Sequence, residues 1–171
     1  MSIYMIADTH FFHKNIIEYE NRPFKTVEEM NEALITNWNQ TVSKLDIVYL
    51  LGDFCWKAKT NGKGILDRLN GYKVLVMGNH DSISHKTFLQ MGFDEVSKYP
   101  IILENYFILS HEPMYVNINM PYANIFGHVH GNPAFKDYSR QTFCVSVERP
   151  KVNYRPLLFD KIKQLMSNCT D

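Results

Sequence analysis

Three short apolar runs in the first half of the chain stop at the same kind of residue. Ser2 to Ala7 ends at Asp8. Asp46-Ile47-Val48-Tyr49-Leu50-Leu51 ends at Gly52-Asp53, and Lys73-Val74-Leu75-Val76-Met77 ends at Gly78-Asn79-His80-Asp81. Such runs read as buried strands, and the stretches between them carry helical signals. Thr26-Val27-Glu28-Glu29 is a capping-box pattern that opens a helix with apolar positions Met30, Leu34 and Trp38. Ile65 to Leu69 reads as helical, with Asn70-Gly71 as its stop, and another helix is expected over residues 84–91. The order β-α-β-α-β predicts parallel strands with covering helices.

Alternation then gives way to closely spaced strands, expected near residues 94–97, 99–104, 106–110, 122–127 and 142–147. The stretch 54–63 reads as a polar loop. No repeat, low-complexity tract or linker divides the chain, so residues 1–171 are expected to form one domain. The expected fold is α/β: an αββα sandwich of two mixed β-sheets flanked by helices.

Composition narrows the function. Hydrophobic residues make up 45% and charged residues 21%, an ordinary globular balance. Eighteen basic residues match eighteen acidic ones, which offers little driving force for gripping duplex DNA. Cys55, Cys144 and Cys169 are odd in number and far apart, so neither a disulfide framework nor a C-x-x-C zinc pattern is expected. Ile3 to Ala7 is too short for a signal peptide, and no run approaches membrane length. A soluble, cytoplasmic protein is expected.

Polar side chains accumulate where the strands end. The first run delivers Asp8 and His10, the second Asp53, and the third Asn79, His80 and Asp81. Ile108-Leu109-Ser110 delivers His111, and Ile125-Phe126-Gly127 delivers His128 and His130. In an open α/β sheet, ligands bind beyond the carboxyl ends of the strands, so these groups should converge. Carboxylates, imidazoles and an amide carbonyl suit Mn, Fe or Zn rather than a thiolate site. The set is large enough for two ions. His13 and His85 fall outside the pattern and are left out of the ligand set.

The ordered set D-x-H, GD, GNHD, H and G-H-x-H resembles the calcineurin-like metallophosphoesterase superfamily. The opening Asp8-Thr9-His10-Phe11-Phe12-His13-Lys14-Asn15-Ile16-Ile17, with Asn21-Arg22-Pro23-Phe24, looks like a group of small bacterial and phage members. The resemblance implies the αββα sandwich and a two-metal centre that activates a bridging water. Asp8, His10, Asp53 and His130 would hold one metal, and Asp53, Asn79, His111 and His128 the other. Asp53 would bridge them with one oxygen to each. His80 would protonate the leaving group, and Asp81 would orient the His80 ring. Two departures are visible: Phe54-Cys55-Trp56 follows Gly52-Asp53 where many relatives carry a further Asp, and Cys144 stands where relatives often place Asn.

Arg22 is a candidate contact to substrate phosphate. Phe11, Phe12 and Tyr19 are candidate stacking surfaces, and Lys57, Lys59 and Lys63 a candidate basic loop. The expected activity is a phosphodiesterase acting on a small, nucleotide-like phosphate ester. The alternatives are a phosphomonoesterase and a non-catalytic interaction subunit on the same fold.

Overall fold

The computed structural model describes residues 1–169. Strands β1 (Ile3–Ile6), β2 (Ile47–Leu50), β3 (Tyr72–Val76) and β4 (Glu95–Ser97) form one sheet in the order β4-β3-β2-β1, all parallel. Helices α1 (Ile16–Tyr19), α2 (Val27–Thr41), α3 (Ala58–Leu66) and α4 (His85–Met91) occupy the crossovers. The second sheet contains β5 (Ile101–Leu103), β6 (Phe107–Leu109), β7 (Ala123–Phe126) and β8 (Thr142–Cys144). Its β5–β6 pair is antiparallel and its β6–β7 and β7–β8 pairs are parallel. The chain closes with β9 (Leu157–Leu158), antiparallel to β1, and α5 (Phe159–Ser167). Both sheets are therefore mixed and flanked by helices, as expected.

The sheets meet where β1 runs out. Ala7 donates to the Val145 carbonyl at 2.9 Å, and Val147 donates back to Ala7 at 3.2 Å. One apolar cluster spans both sheets, including Met5, Leu50 and Leu75 from the first and Leu109, Ile125 and Phe143 from the second. α2 joins it through the period read in the sequence: Met30, Leu34 and Trp38 are buried, and the Thr26 hydroxyl caps the Glu29 amide at 3.1 Å. No helix among the described residues is long and apolar enough to cross a membrane.

Two local expectations need correction. The stretch 54–63 is not a loop throughout, since α3 begins at Ala58 and ends at Leu66, short of the expected Leu69. Gly62 and Gly64 disguise this helix because glycine disfavours helix interiors. Packing overrides that preference: a Cβ on Gly62 would overlap the Met91 sulfur, so glycine is what lets α3 lie against α4. The C-terminal β9 and α5 were not anticipated.

Candidate metal centre

The two turns after β1 and β2 are zipped together. Asp8 donates its amide to the Gly52 carbonyl at 3.1 Å, His10 to Asp53 at 2.9 Å and Phe11 to Phe54 at 2.9 Å, while Trp56 returns a bond to Phe11 at 2.8 Å. This ladder sets Asp8 and His10 beside Asp53. The turn after β3 is tied to the same place by Asp81. Its Oδ2 accepts from the Asp53 and Gly78 amides at 2.9 Å each, and its Oδ1 accepts from Phe54 at 3.1 Å. Gly78 is needed for proximity, since a Cβ there would overlap Asp53 Oδ1.

The Asp81 bonds correct its assignment. The carboxylate is committed to three backbone amides, and among the described residues no hydrogen bond joins it to the His80 ring. It fixes two turns rather than orienting an imidazole. Burial, with the charge of Asp53 adding to it, raises its pKa to about 6.

Asp8, His10, Asp53 and His130 form one donor group, with one ligand atom from each lying within 4.8 Å of all the others. Asp8, His10 and Asp53 are almost wholly buried. His10 Nε2 is buried with no hydrogen-bond partner, and burial lowers its pKa to about 4. An orphaned imidazole nitrogen facing two carboxylates is what a cation ligand looks like without its cation. His130 donates Nδ1–H to Glu148 Oε1 at 3.1 Å, which leaves Nε2 for the group. Burial pulls the His130 pKa down, but the Glu148 hydrogen bond and the charges of Asp8 and Glu148 prevail and raise it to about 9. Asp8 is pushed up to about 6, mainly by burial.

Asn79, His111 and His128 make a second group. His111 Nδ1 donates to the Leu51 carbonyl at 2.9 Å, which turns its Nε2 inward. There it meets Asn79 Oδ1 at 2.8 Å and His128 Nδ1 at 3.1 Å, and the last two lie 3.0 Å apart. A proton on His128 Nδ1 satisfies its contacts to Asn79 and His111, and a shared cation could take its place. Asp53 Oδ2 lies 3.4 Å from His10 Nε2 and 3.6 Å from His111 Nε2. One oxygen thus faces both groups, while Oδ1 accepts the His80 amide at 2.9 Å. Burial raises the Asp53 pKa, but the adjacent His10 and His111 and the His80 amide outweigh it and hold it at about 2.

Arg22 is not free to meet a substrate. Its side chain is buried, with Nη2 on Glu148 Oε1 at 2.6 Å and on the Asp8 carbonyl at 2.7 Å, and Nη1 on the Thr9 carbonyl at 2.9 Å. It braces the first turn and holds Glu148 behind His130. Phe11 is also buried, which removes it as a stacking surface, whereas Phe12 and Tyr19 are exposed. Sequence reasoning missed Glu148, although it too is an acid at the end of an apolar run, Cys144-Val145-Ser146-Val147. It also set aside His13, whose ring lies 5.3 Å from His10 and stacks on Trp56 at 4.6 Å.

Two mixed sheets that gather carboxylates, imidazoles and an amide at their strand ends define an α/β protein with a candidate metal-binding site. Residues 1–166 match the calcineurin-like phosphoesterases, and the chain belongs to that family. Its chemistry is metal-dependent phosphoester hydrolysis. The chain is 41% identical to the uncharacterized protein MJ1445 of Methanocaldococcus jannaschii, over 96% of this chain and 90% of that one. It is 35% identical to the gene 66 protein of Mycobacterium phage L5, over 44% of this chain and 37% of that one. Among solved structures it resembles AQ665, a protein of unknown function from Aquifex aeolicus, with TM-score 0.71, 30% identity and coverage of 96% and 98% of the two chains. The Pseudomonas putida nuclease MPE shares the fold, with TM-score 0.52, 23% identity and coverage of 75% and 61%.

Proposed function

We propose that this protein is a dinuclear metal-dependent phosphodiesterase for small, nucleotide-like esters. The observation that carries the reading is the single Asp53 oxygen placed between the orphaned His10 nitrogen and the Asn79–His111–His128 acceptors. Asp8, His10, Asp53 and His130 would hold one ion, and Asp53, Asn79, His111 and His128 the other. The donors are oxygen and nitrogen, which suits Mn, Fe or Zn. Cys55 is no competitor, because burial raises its thiol to about 12. Bound ions would supply Lewis acidity toward the phosphoryl oxygens and a lowered pKa for the attacking water.

The chain's own groups do the rest. His80 is exposed, and its ring centre lies 5.6 Å from that of His10, so it can approach an ester without being a ligand. As an imidazolium it would give a proton to the departing oxygen, a contribution of about 100- to 10,000-fold. The Asp81 network holds the turn that carries it. Diester preference is supported by Arg22, which is locked onto Glu148 and so does not offer its guanidinium to a doubly charged monoester. Hydrolysis of bis(p-nitrophenyl) phosphate against p-nitrophenyl phosphate, with Mn²⁺ and with chelator, tests this. Faster, metal-dependent turnover of the diester is expected. A faster monoester overturns the diester assignment, and no turnover by metal-replete protein overturns catalysis.

A further inference from the structure

A cavity of about 350 Å³ opens beside the candidate metal centre, and His10, Asp53 and His80 are among its lining residues. Its size is at the lower end for a small-ligand pocket and far too small for a duplex. Trp56 lines it and is 45% exposed. His13, which does not line the cavity, stacks on this indole with an interplanar angle of 8°. One indole face is thus covered by His13, while the ring remains 45% exposed and lines the cavity. Ala58 and Ile83 add apolar wall.

Lys57, Lys59 and Thr60 line the same cavity from the start of α3. Lys63 pairs with Asp67 and Lys163 with Glu104, but no ion pair engages Lys57 or Lys59 among the described residues. Lys57 caps α3 in a left-handed conformation, φ 50°, and no side chain accepts from the first turn of the helix. An uncapped helix start carries partial positive charge and free amide donors. The packing of Gly62 against Met91 fixes where that start lies. The cavity lining therefore combines three unlike elements: metal-centre residues with the orphaned His10 nitrogen, a flat aromatic ring and lysines with no ion pair among the described residues.

Resting on the reading above, we propose that this cavity is a leaving-group subsite for a nucleoside that carries a second phosphate. The base lies on Trp56, the second phosphate sits at Lys57, Lys59 and the start of α3, and the scissile ester reaches His80. The substrate class is a short single-stranded oligonucleotide with a terminal phosphate. Hydrolysis breaks the bond between phosphorus and the leaving oxygen. Water supplies the new oxygen on phosphorus, and the leaving oxygen takes a proton.

The test compares kcat/KM on the dinucleotide TpT with that on TpT phosphorylated at its 5′ or 3′ end, using metal-loaded protein. One phosphorylated form should be preferred by at least about 5-fold, and the preference should shrink as salt is raised. In Lys57→Gln/Lys59→Gln the ratio should fall toward one, the start of α3 retaining the remainder. A ratio near one in the parent, or an unchanged ratio in the double variant, overturns the proposal. Binding is read separately. The only other tryptophan, Trp38, is buried, so saturable quenching by thymidine 3′,5′-bisphosphate reports Trp56. Absence of quenching, or identical affinity by calorimetry in Trp56→Leu, also overturns it. If neither dinucleotides nor bis(p-nitrophenyl) phosphate is hydrolysed, the phosphodiesterase reading fails, and the quenching titration still decides the subsite.

Discussion

The two donor groups that share Asp53 are built differently. In the group of Asp8, His10 and His130 the first two are buried, and the group contains a carboxylate of its own and is backed by Glu148 and Arg22. The group of Asn79, His111 and His128 has no carboxylate except the shared one, and Asn79 stands exposed at the surface. A divalent ion gains more from anionic than from neutral donors, and a ligand set braced from behind loses less freedom on binding. The first position should therefore hold its ion tightly and the second should exchange it.

The change that should break the arrangement most is Asp53→Asn, because it removes the one charge both positions use. Metal analysis should show loss from both, and hydrolysis should fall to background. If only one ion is lost, Asp53 is not shared. His80→Ala should keep both ions and lower kcat by about 100- to 10,000-fold, most for poor leaving groups. Loss of metal in that variant would move His80 into the ligand set. Asp81→Ala leaves three amides without an acceptor, so it should destabilise the fold by about 3 kcal/mol or more. Chemical denaturation measures this, and an unchanged midpoint would return Asp81 to another role. Glu148→Gln should weaken the first position about 10- to 100-fold while sparing the second. Competition with a chelator separates the two, and equal weakening would erase the contrast.

The smallest effect concerns pH. In metal-free protein, folded His130 keeps its proton up to about 9, against 6.5 for an ordinary histidine, so the folded state binds the extra proton. That contribution is complete below about pH 6.5 and is lost as pH rises through 9. The melting temperature of the metal-free protein should fall across this window, and the slope should flatten in Glu148→Gln.

The strand-end rule located all seven ligand candidates because a side chain just past a buried strand has few directions to take. It also located Asp81, but sequence order cannot say which way a carboxylate turns. The unsatisfied amides of Asp53, Phe54 and Gly78 claimed it instead of the His80 ring. Arg22 was misjudged for a related reason: its partner Glu148 lies 126 positions away, and nothing near Arg22 in the sequence reveals it. The helix α3 was hidden by the glycines that its packing requires. The β-α-β-α-β order, by contrast, was legible from apolar runs and one capping box, which depend on local signals.

Five of the seven ligand candidates have left-handed backbones: Asp8 at φ 58°, His10 at 48°, Asp53 at 54°, His128 at 67° and His130 at 46°. Side chains with a Cβ pay for this conformation and glycine does not. In a saturation mutagenesis scan scored on abundance alone, these positions should therefore reverse the usual ranking. Glycine and asparagine should be tolerated better than alanine, although alanine is the gentler replacement almost everywhere else. A scan scored on phosphoester hydrolysis should reject all three. The gap between the two maps would outline the metal centre without any knowledge of its natural substrate.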